Sequence, residues 1–185
     1  MEPHFSVPIS QAVKRFGSNE RCELRSADGT LNATRRDIET VAEICNEPLI
    51  YNRLFRTNFK GQLYTPEHAE KFLQWAREGW QKNAWFVFLI RDAAHQIVAA
   101  IDIKTPTLAE AEIGYWASAS YPGVMTNTVV ELCRVAGGAG YRRLFAVIEP
   151  NNERSISVIK RAGFLSDGEM VRNEKRYLRF ICELL

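Results

Sequence analysis

The stretch Pro150-Asn151-Asn152-Glu153-Arg154-Ser155-Ile156-Ser157-Val158-Ile159-Lys160-Arg161-Ala162-Gly163-Phe164 decides the fold. Residues 153–162 read as a short helix, and Gly163 stands where a helix commonly stops. The run just before it, 144–148, is a buried strand. Residues 164–171 and 176–184 form a strand pair after it. Toward the N-terminus, 110–118 reads as a strand, and Val129, Leu132, Cys133 and Ala136 make a helical stripe from near Thr126 to Gly137-Gly138. Residues 85–91 and 96–104 are β-rich runs joined by Asp92-Ala93-Ala94-His95, a hairpin signal. Further back, Thr65 caps a helix that takes Pro66 at its first position and runs to about Lys82. Thr34 with Asp37 starts another, which runs to about Glu47. Residues 48–64 between them are irregular, aromatic and basic, a wall over something rather than a bare connector. Residues 22–26 form a short strand. Residues 1–19 lack a period and carry Pro3, Pro8 and Gly17, so they read as an N-terminal arm before one domain at 20–185. The class is α+β, a mixed sheet with helices on its faces.

Composition agrees with a single globular domain. The 185 residues are 46% hydrophobic and 25% charged, enough to bury roughly 70% of the unfolded surface without staples. Lys and Arg number 24 against 22 Asp and Glu, with no long block of one sign, which argues against a nucleic-acid or anionic-lipid partner. Cys22, Cys45, Cys133 and Cys182 are scattered, with no CxxC pair and no histidine set for zinc, and read as reduced cytoplasmic thiols without a metal. The longest apolar run, 84–90, is too short to span a bilayer.

Gly137-Gly138-Ala139-Gly140 follows a helix and precedes a strand, the wrong order for a phosphate loop, and reads as a helix end and turn. The segment with the right order is 118–128, where a strand passes into a helix whose free N–H groups could hold an anion, or which is an ordinary turn. No GxSxG elbow exists, and His4, His68 and His95 sit beside no candidate nucleophile. Glu110 and Glu112 share one strand face, as an acid–base pair or as a solvated edge.

The motif Ala111-Glu112-Ile113-Gly114-Tyr115-Trp116, then Tyr121-Pro122-Gly123, together with the 150–164 block, resembles the GNAT superfamily of acetyl-CoA-dependent N-acetyltransferases. More narrowly it is similar to the RimJ/RimL-like branch, over about residues 22–184. The resemblance implies a mostly antiparallel, splayed sheet with acetyl-CoA in the opening. Trp116, Ala117 and Ser118 would pair with the pantetheine amides. The turn of Gly123, Val124, Met125, Thr126, Asn127 and Thr128 would take the pyrophosphate. Asn152 would hold the cofactor arm. Ser155 would lie near the thiol and could protonate it as it leaves. Glu112 would accept the proton of an attacking amine, its pKa raised by partial burial. The acceptor would be a small-molecule amine or a protein N-terminus, and the protein a monomer or homodimer.

The resemblance has gaps. The basic residue and two small residues of the family's pyrophosphate turn are replaced by Pro122, Met125 and Asn127, removing a charge and narrowing the backbone's approach to an anion. The tyrosine many members use as general acid falls at Ile159. These losses carry the alternative of a degenerate binding module with weak or no CoA binding. Arg53, Arg56 and Lys60 among Tyr51, Phe55, Phe59 and Tyr64 argue against polycationic acceptors.

Overall fold

The computed structural model describes residues 2–184; Met1 and Leu185, the outer ends of the expected arm and domain, lie outside the described residues. Eight strands form one sheet: β1 Ser10–Lys14, β2 Arg21–Ser26, β3 Phe86–Arg91, β4 Ile97–Ile103, β5 Ala111–Ala117, β6 Arg143–Ile148, β7 Leu165–Arg172 and β8 Lys175–Glu183, in the spatial order β1-β2-β3-β4-β5-β6-β8-β7. β5 and β6 pair in parallel and every other neighbouring pair is antiparallel. β3 and β4 are apolar without alternation because both faces are covered, and both strands are almost wholly buried.

The helices are α1 Arg35–Cys45, α2 Pro48–Ile50, α3 Pro66–Gln81, α4 Val124–Gly138 and α5 Glu153–Arg161, with a π-helical turn Tyr51–Phe55 after α2. α1 opens on the expected capping box: the Asp37 N–H donates to Thr34 Oγ1, and Asp37 accepts the Thr34 N–H. α3 opens on Thr65, with Pro66 in its first turn and His68 Nδ1 accepting the Thr65 N–H. One sheet face packs α1 and α3 against Val87, Leu89, Ile97 and Ala100. The other packs α4 against Phe88, Ile101, Ile103 and Ile113.

Three expectations change. The segment 1–19 contains β1, an edge strand whose only buried residue is Val13, so no alternation was visible. The connector 48–64 is partly helical, but its turn closes by π-type bonds, Arg56 N–H to Tyr51 O at 2.8 Å, a period that a 3.6-residue pattern misses. α4 begins at Val124 rather than Thr126, because Gly123 adopts φ +85° and ends the loop there.

Candidate active site

β5 and β6 pair only at Ala111–Leu144, Glu112–Phe145 and Ile113–Ala146. Beyond Ile113, β5 stays paired with β4 as far as Ala117, while β6 stays paired with β8 as far as Ile148, so the two strands part. The opening is a cavity of about 900 Å³. Its lining includes both strands, the 121–125 turn, the first turns of α5, and Leu49, Ile50, Arg53 and Leu54.

Backbone groups of a strand alternate sides, and two bonds set the phase: Glu112 O accepts from Lys104 N–H and Ser118 N–H donates to Val98 O. Even-numbered residues therefore turn their peptide groups toward β4, and Tyr115 and Ala117 turn theirs toward the opening. This corrects the reading of Trp116 and Ser118 as pantetheine partners. Ser118 is buried, and its Oγ donates to Glu47 Oε1 at 2.6 Å.

At the mouth, Gly123 is the N-cap of α4 and no side chain caps the helix. Val124, Met125, Thr126 and Thr128 are buried. Met125 packs in the main core and also lines the cavity beside Gly123 and Val124. Asn127 Nδ2 donates to Lys14 O at 2.7 Å, and Thr128 Oγ1 to Val124 O at 2.8 Å. Asn152 caps α5, its Oδ1 accepting the Ser155 N–H at 3.3 Å. Tyr115 Oη donates to Ser155 O at 3.2 Å, and burial pushes this phenol up to about 12. Ile159 is fully buried in the core.

Glu112 lies at the apex of the opening, between two cations. Lys104 Nζ is 2.6 Å from its Oε1, and Arg172 Nη2 is 2.7 Å from its Oε2. Burial alone raises the carboxyl, but the hydrogen bonds and charges of Arg172 and Lys104 outweigh it and hold Glu112 below the ordinary glutamate value. The expected upward shift is thus reversed. Glu110, on the same face, is held by Arg179 and Arg143. Behind Glu112, Asp102 Oδ1 accepts the Gly114 N–H at 2.8 Å, and a Cβ on Gly114 would stand 3.0 Å from that oxygen. Burial pushes Asp102 up to about 6, against the lowering pull of Lys104. A folded-state pKa above the unfolded one makes the folded form lose stability as pH rises from about 4 through 6. Asp102→Asn keeps the acceptor and removes the charge, so urea unfolding should show little change at about pH 3, below the unfolded value, and a gain of about 1 kcal/mol or more at pH 8.

The family model for the acetyltransferase (GNAT) domain matches residues 30–165. The chain belongs to this family. No curated protein sequence matches it significantly. Among solved structures, it is similar to Mycobacterium smegmatis RimJ in complex with CoA-disulfide, at 18% identity and TM-score 0.74 over 99% of this chain and 90% of that one. It is similar also to a putative ribosomal-protein-serine acetyltransferase from Vibrio cholerae, at 18% and 0.71 over 99% of both chains. A third, from Salmonella typhimurium, modifies the N-terminal serine of a large-subunit ribosomal protein, at 18% and 0.68 over 91% and 97%.

The wall of this GNAT domain differs from its sequence reading. Phe55, Phe59 and Tyr64 pack with His68 on the α1–α3 core, and the cleft takes Leu49, Ile50, Arg53 and Leu54 instead. Arg53 reaches across to the loop after β6, 2.8 Å from Glu149 Oε2 and 2.9 Å from Asn151 Oδ1. Arg53 was legible as a basic wall residue, but its partners were not. Tyr115 and Asp102 on their strands, and Glu47 in the turn before α2, were not singled out, because a half-buried polar residue carries no local sign of a partner far along the chain. No helix is long and apolar enough to cross a membrane, and no group of three metal-ligating side chains occurs among the described residues.

Proposed function

We propose that this GNAT domain is an acetyl-CoA-dependent N-acetyltransferase that acts on α-amines, small or at a protein N-terminus. The parting of β5 and β6 above the uncapped start of α4 carries this reading. The fit rests on backbone. Tyr115 and Ala117 turn peptide groups into the opening without a strand partner, as an added strand would require, and the first turn of α4 holds no acidic residue to repel a pyrophosphate. Acetyl-CoA, as co-substrate, would supply the thioester carbonyl that a neutral amine attacks. One of these N–H groups, that of Tyr115 or of Ala117, would donate to the developing oxyanion, and the other peptide group would pair with the cofactor arm. Ser155 would relay to the departing thiolate the proton that the attacking nitrogen loses, ending as the neutral hydroxyl it began as, and the Asn152 side-chain amide would face the cofactor arm.

Glu112 is ionised at neutral pH, so it would draw the amine to the apex and balance positive charge on the attacking nitrogen. Held low by two cations, it is a poor proton sink, which shifts the burden to the acceptor. An α-amine with pKa near 8 is about one-tenth neutral at pH 7, whereas a lysine near 10.4 is neutral only about once in a few thousand. Four free cysteines suit a reducing cytoplasm.

Titration calorimetry with acetyl-CoA and CoA tests the reading, and no binding at millimolar ligand overturns it. Turnover with a free-N-terminus peptide should climb with pH to a plateau above about 8. A peptide blocked at its N-terminus but carrying lysine should be far slower at pH 7. Equal rates for the two would exclude the α-amine preference.

A further inference from the structure

The turn that would meet the pyrophosphate has lost its own cation at Pro122, yet the cleft carries one beside it. We propose that Arg161, from the last turn of α5, supplies the positive charge for the diphosphate of acetyl-CoA, and that Phe16 holds it in place. The inference rests on the acetyl-CoA reading above and adds the residues that secure it.

Arg161 Nε donates to Thr126 Oγ1 at 3.3 Å, which sets the guanidinium level with the first turn of α4, and the residue lines the cavity with Pro122, Gly123 and Val124. The other cations of the lining are engaged or distant. Arg53 binds Glu149 and Asn151, Lys104 binds Glu112, and Arg154 lies two helical turns away at the start of α5. Arg15, at the rim, spends its guanidinium on Glu20 and on Pro122 O. Among the described residues no carboxylate pairs with Arg161, and its two terminal nitrogens are free for a bidentate anion.

Its position is set by the altered turn itself. Phe16 N–H donates to Gly123 O at 3.0 Å, Arg15 Nη2 to Pro122 O at 2.9 Å, and Asn127 Nδ2 to Lys14 O. A Cβ on Gly123 would come within 2.5 Å of Phe16 O, so this approach needs glycine. The docked β1–β2 hairpin brings the Phe16 ring to 5.1 Å from the Arg161 guanidinium carbon, a cation–π distance. One of the departures from the family's turn, Asn127, thus serves through its side chain to dock the hairpin that steadies Arg161.

Calorimetry with two ligands tests this, acetyl-CoA and S-acetyl-pantetheine, which lacks the diphosphate. Arg161→Gln should weaken acetyl-CoA about tenfold or more and leave S-acetyl-pantetheine unchanged, while Arg161→Lys keeps part of the affinity. Arg161 is exposed, so the variant should melt with the native protein. Phe16→Leu should weaken acetyl-CoA by about threefold alone and by nothing in the Arg161→Gln background, which marks it as a positioning residue. Native affinity for acetyl-CoA by Arg161→Gln, or an equal loss for both ligands, overturns the proposal. A native protein that binds S-acetyl-pantetheine but not acetyl-CoA overturns it as well, and one that binds neither overturns the acetyl-CoA reading beneath it.

Discussion

Glu112→Gln is expected to lower turnover on the order of 10²-fold at pH 7 while barely changing acetyl-CoA affinity. Glutamine keeps the shape and can accept from Lys104 or Arg172, but the charge is gone, so two cations face an acceptor nitrogen that becomes positive as it attacks. Raising the pH should lift the native enzyme and the variant in parallel, because a larger share of the amine then arrives neutral for each, and leave the gap between them in place. Glu110→Gln is the control: it lies on the same face, yet its partners Arg143 and Arg179 stand away from the cavity. Steady-state kinetics with a true acceptor decide. Full turnover by Glu112→Gln would reduce Glu112 to a tether for Lys104 and Arg172.

Asp37→Ala should cost about 3 kcal/mol or more of stability. Asp37 is 5% exposed, and one oxygen lies 2.6 Å from Arg91 Nη1, itself on a side chain 11% exposed. The other accepts from the Thr34 N–H and hydroxyl. Alanine leaves a largely buried guanidinium short of its counter-charge and removes the Asp37 half of the α1 capping box, while Thr34 Oγ1 still caps the residue-37 N–H. Burial works against the carboxylate, but the Arg91 and Thr34 hydrogen bonds outweigh it and hold the pKa below 3.8. A depressed folded-state pKa contributes stability above the unfolded value and loses it as pH falls through the folded one. The gap in melting temperature between native and variant should therefore be full at pH 6 and shrink below pH 4. Glu39→Ala, which removes the exposed Arg35–Glu39 pair, should cost less than about 0.5 kcal/mol.

Features legible in the sequence are those decided within one turn of chain. Thr34 with Asp37, Thr65 with Pro66, and Gly163 after the 153–162 stripe each set a boundary by local geometry, and the structure places all three elements there. The cleft was legible only through resemblance, because a splay is a relation between strands, not a property of either. What the sequence reading missed depends on partners far along the chain. Asp37 and Arg91 are 54 residues apart, and Glu112 and Arg172 are 60 apart. Nothing near Glu112 in sequence says that Arg172 from β7 will reach it, which is why burial alone suggested the wrong direction for its pKa. The 48–64 segment misled differently: its aromatic density was real, but most rings turn to the α3 core and only one edge of the segment meets the cleft.

The docked hairpin also bears on where the catalytic unit begins. Family similarity starts at residue 30, and a boundary drawn there would discard β1, β2 and their turn. Those residues brace the 122–127 turn at the mouth of the cavity, since Lys14, Arg15 and Phe16 all bond to it. A chain trimmed at the similarity boundary would retain every recognisable motif, from Glu112 to Phe164, and present them around a mouth that has lost its rim. Swapping this hairpin between relatives would be a way to retune cofactor grip without touching a motif residue.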